Sequence, residues 1–190
     1  MKVVAFNGSA RKGGNTALML QMVLDEAEKE GIATELVELA GKNLSGCIAC
    51  YKCFQTKDKR CAQEDEMNGY IEKMLEADAI VLGSPTYFAD VTANMKALIE
   101  RCGMVSRANG DMYRRKVGAA VVAARRGGAS HVFSSLNYFF FIGQMIVPGS
   151  NYWNMGFGLD KGEVKNDVEA VRTMETLGQN IAWLLKKLGA

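Results

Sequence analysis

The stretch KVVAFNGSARKGGNT, Lys2 to Thr16, decides the fold. Lys2 to Phe6 is a short β-rich apolar run, and the turn residues Asn7, Gly8 and Ser9 end it. From Thr16 to Lys29 the apolar residues Leu18, Met22 and Ala27 fall at helical spacing between Gln21, Asp25 and Glu28. A strand therefore runs through a glycine-bearing loop into the start of a helix. Open amides at a helix N-terminus, with the helix dipole behind them, form an anion site. Ser9, Asn15 and Thr16 add side-chain donors, and Arg11 and Lys12 add positive charge. The glycines, Gly14 among them, let a phosphate approach the backbone. The loop lacks the G-x-G-x-x-G dinucleotide fingerprint, and Gly14-Asn15-Thr16 stands where a P-loop needs Gly-Lys-Ser/Thr. The terminal phosphate of a mononucleotide fits better than a pyrophosphate. The plainer alternative is that Asn15 or Thr16 merely caps the helix.

Beyond this stretch, strand and helix patterns alternate. Gly31 stops the first helix, as a residue past a helix end often does. Thr34 to Leu39 alternates polar and apolar and predicts a second strand. Ala79 to Gly83 and Lys116 to Ala124 are continuous apolar runs, as in strands buried on both faces, and Ile146-Val147 begins a short fifth strand. Helices are predicted over Met67 to Glu76, Thr92 to Arg101, Ser130 to Met145 and Asp167 to Leu188. This order implies an α/β fold, a doubly wound parallel sheet with helices on both faces.

The chain has 190 residues, suited to one domain, with a cysteine-rich insertion at about residues 40–65. A formal net charge of +2 gives no dominant pull toward nucleic acid. The most apolar run, Tyr138 to Pro148, is broken by Gly143 and Gln144 and is too short to span a membrane. The N-terminus lacks a signal-peptide core, so a cytoplasmic protein is expected. Its five cysteines are then read as metal ligands, catalytic groups or core fillers rather than disulfides.

Ligands of open α/β sheets bind outside the carboxyl ends of the strands. The third strand ends there in Ser84-Pro85-Thr86-Tyr87-Phe88-Ala89-Asp90, where Pro85 stiffens the chain and Thr86, Tyr87 and Phe88 offer amides beside aromatic surface. A flat amphipathic ring such as isoalloxazine needs both; the alternative is an ordinary hydrophobic loop. Asn94 and Lys96, on the following helix, are read as a solvated face. After the fourth strand, Arg125-Arg126-Gly127-Gly128 forms a third glycine-bearing turn at the same edge, whose amides are read as contacts to the ring and whose arginines are read as contacts to the cofactor or an anionic donor; the plainer alternative is an ordinary strand-to-helix turn. His131 follows it, with a structural place in the first helical turn. No Ser–His–Asp or paired-carboxylate site suggests itself. The glycine-rich loop from Trp153 to Asn166 is a further candidate for function.

G-S-A-R-K-G-G-N-T, G-S-P-T-Y-F-A-D-V-T-A-N-M-K and the Gly127-Gly128 turn together resemble the NADPH-dependent FMN reductase branch of the flavodoxin-like superfamily. The resemblance implies five parallel strands in the order 2-1-3-4-5, FMN bound noncovalently, and homodimers or homotetramers that complete the flavin pocket. It implies that Ser9, Arg11, Asn15 and Thr16 hold the phosphate and that Pro85 to Phe88 line the ring.

Cys47, Cys50, Cys53 and Cys61 read C-x2-C-x2-C-x7-C within the long loop. Four thiolates so spaced can fill an Fe–S cluster or a zinc site, or stay free as redox thiols, and the tight spacing is more typical of [4Fe–4S] than of zinc. Cys102, at an apolar helical position, reads as a core residue. The loop resembles the compact cysteine motif of the iron–sulfur flavoproteins. That resemblance implies a [4Fe–4S] cluster near FMN, a tetramer, and electrons passing from a ferredoxin-like carrier through cluster and flavin to an acceptor. Two other readings stand beside it: an NAD(P)H-dependent FMN or quinone reductase without a cluster, and a noncatalytic flavodoxin-like electron carrier.

Overall fold

Apolar residues on both sides of each central strand demand cover on both faces of a sheet, and the computed structural model, which describes residues 1–189, supplies it. The strands are β1 (Lys2–Asn7), β2 (Ala33–Glu38), β3 (Ala79–Pro85), β4 (Val117–Ala124) and β5 (Met155–Phe157). All pair in parallel, in the order β2-β1-β3-β4-β5. The helices are α1 (Asn15–Lys29), α2 (Lys52–Thr56), α3 (Met67–Glu76), α4 (Ala93–Ala108), α5 (Ala129–Ile142) and α6 (Val168–Leu188).

Strand side chains alternate between two cores. Val4, Phe6, Ile80, Leu82, Ala120 and Val122 join α3, α4 and α5 on one face. Val3, Ala5, Val81, Ala119 and Val121 join α1 and α6 on the other. Cys102 is fully buried within the first core, and burial pushes its thiol up to about 12, so it stays an inert core residue.

The fifth strand is not where the sequence pattern suggests. Ile146 makes only a single bridge, to Val117, and β5 lies at Met155–Phe157, beside Val122–Ala124. The open edge of β4 is served in three pieces. Ile146 pairs at its start, the Asn154 side chain donates to the Ala120 carbonyl at 3.0 Å, and β5 takes the end. Pro148 lacks the N–H that continuous pairing requires, so the chain leaves the edge and returns. Helix α4 continues seven residues past the expected Arg101, because Gly103 lies within it beside the Phe139 ring and does not end it. Helix α2 lies inside the cysteine-rich segment and carries no periodic pattern long enough to announce it. Among the described residues, no helix is long and apolar enough to cross a membrane.

Candidate functional site

Two groups of residues stand out. The first is a cleft of about 210 Å³ over the carboxyl ends of β1, β3 and β4, the place where such sheets take ligands. Ser9, Arg11, Asn15, Thr16, Pro85, Thr86 and Tyr87 all line it. Helix α1 opens with Gly14 at its N-cap and no side-chain cap, which leaves its first-turn amides to an incoming acceptor. The loop before it is held from behind. Ser9 Oγ accepts from Arg11 N–H at 3.1 Å, and Glu38 accepts from Gly13 N–H at 3.2 Å and from Asn7 Nδ2 at 2.7 Å.

The Asn15 side chain has a different task from the one its type suggests. It donates to the Asp160 carbonyl at 2.9 Å and accepts from Gly162 N–H at 2.8 Å. Arg11 Nη1 likewise reaches the Leu159 carbonyl at 3.0 Å. The segment after β5 thus closes the third side of the cleft with Gly158 and Leu159. Sequence reasoning marked this loop as a candidate without naming these residues; it placed Arg125 in the turn at this edge, and it missed Ala123, which lines the cleft from β4.

After β3, Tyr87 and Asp90 exchange two backbone hydrogen bonds of 3.0 Å, and Phe88 and Ala89 both adopt positive φ, 47° and 62°. This is a two-residue hairpin turn, and it is an unusual one because a bulky residue sits in the left-handed region. Phe88 is fully exposed at its tip and is not among the residues lining the cleft. Gly128, at φ +89°, lets the β4–α5 turn press on this hairpin; a Cβ there would sit 2.9 Å from Ala89 Cα and 3.0 Å from Thr86 Cγ2. Gly128 therefore sits behind Thr86, and neither Gly127 nor Gly128 is among the residues lining the cleft. Thr86 lines the cleft, and its Oγ1 is buried with no hydrogen-bond partner. His131 is exposed in the first turn of α5, with Nε2 3.8 Å from Asp90.

The second group is the four cysteines. Cys47, Cys50, Cys53 and Cys61 are all free and line one small cavity together with Arg101. Their loop holds Ala49, Tyr51, Lys57 and Lys59 at positive φ, 50–63°. Each such non-glycine residue costs roughly 1–2 kcal/mol, a strain that clusters at functional sites. Among the described residues, no three of Cys, His, Asp and Glu converge as for a single metal ion. A [4Fe–4S] cube places its four thiolates on separate irons, so its ligands need to surround a cavity rather than meet at a point. Four thiolates are the donor type that such a cluster takes.

Helix α4 joins the two groups. At its start, Thr92 Oγ1 donates to the Gly8 carbonyl at 2.7 Å, and Thr92 N–H donates to Ser84 Oγ at 3.2 Å. Asn94 is not a solvated residue: its Nδ2 donates to the carbonyls of Leu39 at 2.8 Å and Lys42 at 3.1 Å and fixes the start of the cysteine segment. Lys96 does face solvent, near Glu100. Arg101 lies nine residues beyond Thr92, roughly 13 Å along the helix at 1.5 Å per residue. Its fully buried guanidinium forks onto Asp65. Burial works to raise the Asp65 carboxyl, and the Arg101 fork with the Met67 N–H outweighs it, so the group is held below the usual carboxylate range. Burial pushes the Cys53 thiol up.

Comparison with known proteins agrees with this arrangement. The family model described as NADPH-dependent FMN reductase matches residues 1–160. An iron-sulfur flavoprotein of Methanocaldococcus jannaschii is 38% identical over 98% of both chains. An iron-sulfur flavoprotein of Archaeoglobus fulgidus is 34% identical over 95% of this chain and 94% of its own. Among solved structures, the flavodoxin, WrbA-like protein from Agrobacterium tumefaciens is similar in fold. Its TM-score is 0.66 at 17% identity, over 98% of this chain and 97% of that one. With the sheet order and the matched residues, these similarities show that the chain belongs to the NADPH-dependent FMN reductase family of flavodoxin-like oxidoreductases, among its iron–sulfur flavoproteins.

Proposed function

We propose that this protein passes electrons from a ferredoxin-like donor, through a [4Fe–4S] cluster on Cys47, Cys50, Cys53 and Cys61, to FMN and on to an acceptor. The observation that carries the reading is the cavity lined by all four free thiols on strained backbone, tied by one helix to the flavin cleft. The iron–sulfur name of the relatives supports it. FMN, when bound, supplies the ability to exchange one or two electrons. The chain's own groups do the rest. The open first turn of α1, Ser9, Thr16 and Arg11 would hold the phosphate, and Asn15 would hold the third wall in place. Thr86 Oγ1 would meet a polar edge of the ring, with Pro85 and Tyr87 against its apolar surface. Phe88 and the exposed Tyr138, Phe141, Ile142, Tyr152 and Trp153 are apolar surface for a homodimer or homotetramer.

The deciding experiment is the iron and flavin content of protein purified anaerobically. Both groups in the same chain are expected; flavin without iron after reconstitution defeats the cluster. A second reading, an NAD(P)H-dependent FMN or quinone reductase without a cluster, is favoured by the description of the matching family model. It predicts rapid bleaching of the flavin by NADPH in iron-free protein.

Replacing Arg11 with alanine is expected to raise the Kd for FMN about 10- to 100-fold. The change removes charge-assisted hydrogen bonds worth roughly 1.5–3 kcal/mol. Titration of apoprotein with FMN by fluorescence quenching measures it, and an unchanged Kd removes Arg11 from the phosphate site.

A further inference from the structure

Of the four cysteines, Cys61 is the remote one, separated by seven residues from the compact C-x2-C-x2-C group. Something must bring it back to the others. Its backbone is clamped by Asn68, whose side chain accepts from Cys61 N–H at 2.8 Å and donates to the Cys61 carbonyl at 3.0 Å. Its sulfur is addressed by Arg101, which donates from Nε to Cys61 Sγ at 3.3 Å.

Arg101 is one of the largest side chains fully buried in the protein, and burying a guanidinium is costly unless its donors are satisfied. Every part of the group is spent on this loop. Nη1 donates to Asp65 and to the Ser45 carbonyl at 3.3 Å, and Nη2 donates to Asp65 at 2.9 Å and to the Gln63 carbonyl at 3.3 Å. Ser45 precedes the first cysteine, and Gln63 and Asp65 follow the last. One buried side chain on a rigid helix therefore draws in both arms of the loop. The two edges of the guanidinium are also divided. The Nη pair faces the carboxylate, while Nε–H faces a sulfur that lines the common cavity. A fork onto Asp65 alone would anchor the loop; it does not require a donor aimed at Cys61.

We propose that Arg101 is a positioning residue of the four-cysteine centre, which sets Cys61 among the other thiols and raises the reduction potential of the cluster they carry. The inference rests on the reading of these cysteines as iron–sulfur ligands. A hydrogen bond to a ligating sulfur stabilises the added negative charge when the cluster accepts one electron from an external reductant, with no bond made or broken.

The test uses the full chain, reconstituted anaerobically with iron, sulfide and FMN, as wild type, Asp65→Asn, Arg101→Lys and the paired variant Arg101→Gln/Asp65→Asn. The pair removes both charges together, so that no lone charge is left buried. Cluster and flavin couples are titrated with dithionite. In parallel, trypsin cleavage at Lys57, Lys59 and Arg60 is followed in metal-free protein. In the paired variant the ratio of reduced to oxidised cluster at fixed potential should fall at least tenfold, about 59 mV for one electron, with the flavin couple unmoved. Its metal-free loop should be cut at least fivefold faster. Arg101→Lys should recover part of the potential and none of the protection, and Asp65→Asn should not lower the potential. Iron bound by both wild type and paired variant at the same potential, with equal cleavage, overturns the role of Arg101 alone. A wild type that takes up no iron overturns the cluster reading, and the proposal with it.

Discussion

Replacing Cys50 with alanine is expected to reduce the iron content of anaerobically reconstituted protein to background while the full complement of FMN remains. The four thiols differ in what else they do. Cys53 and Cys61 pack against the hydrophobic core, and the Cys47 backbone N–H is bound to Glu100 at 3.2 Å. Cys50 is exposed and belongs to neither, so losing its sulfur removes a ligand without opening a cavity. A surface change of this kind alters stability by no more than about 0.5 kcal/mol. The flavin cleft shares no residue with the thiol cavity, so FMN binding has no reason to change. Iron and flavin assays on the same preparation decide the matter. Full iron stoichiometry in Cys50→Ala would falsify the four-cysteine assignment. Parallel loss of flavin and helical signal would show instead that the loop is part of the fold.

The second large effect lies far from either site. Replacing Gly178 with valine should lower the melting temperature by about 6–12 °C. Helix α6 crosses α1 at this glycine, and a Cβ there would stand 2.5 Å from the Val23 carbonyl oxygen and 2.6 Å from Glu26 Cβ. A side chain can turn away from such a contact, but helix backbone cannot. The helices must separate, at a cost of about 3 kcal/mol, the upper end for overpacking. In a domain of this size each kcal/mol moves the melting point by roughly 2–4 °C. Thermal unfolding followed by circular dichroism measures the shift, and a change under about 2 °C would mean that α1 and α6 do not meet as closely as described. Because α1 carries Asn15 and Thr16 at its start, FMN should bind more weakly to the same variant.

Much of this architecture is legible in short windows of sequence. Val3 to Phe6, Ala79 to Leu82 and Val117 to Ala124 declare buried strands because both faces of each are apolar, and burial on both faces is what a parallel sheet imposes. The loop before α1 reads as an anion site because its glycines, its cations and the helix start are consecutive, and the structure brings these residues to the cleft. β5 was misplaced for a reason of the same kind. Three residues carry no period, and Ile146-Val147 is the more apolar candidate, although Asn154 and the returning chain take the edge of β4.

The sequence by itself therefore determined the layered α/β fold, the strand-loop-helix of residues 2–16 and the close spacing of three of the four thiols. All of these are written in neighbouring residues, where steric and hydrogen-bonding preferences act directly. Only the tertiary structure decided what joins them. Asn15 serves a loop 145 residues away rather than only its own helix, and Arg101 turns from an ordinary helical residue into the buried partner of Cys61, 40 residues earlier. The physical reason is that a polar side chain takes its role from the partners that burial leaves it. Those partners are chosen by the crossing of helices and strands, which no local spacing encodes.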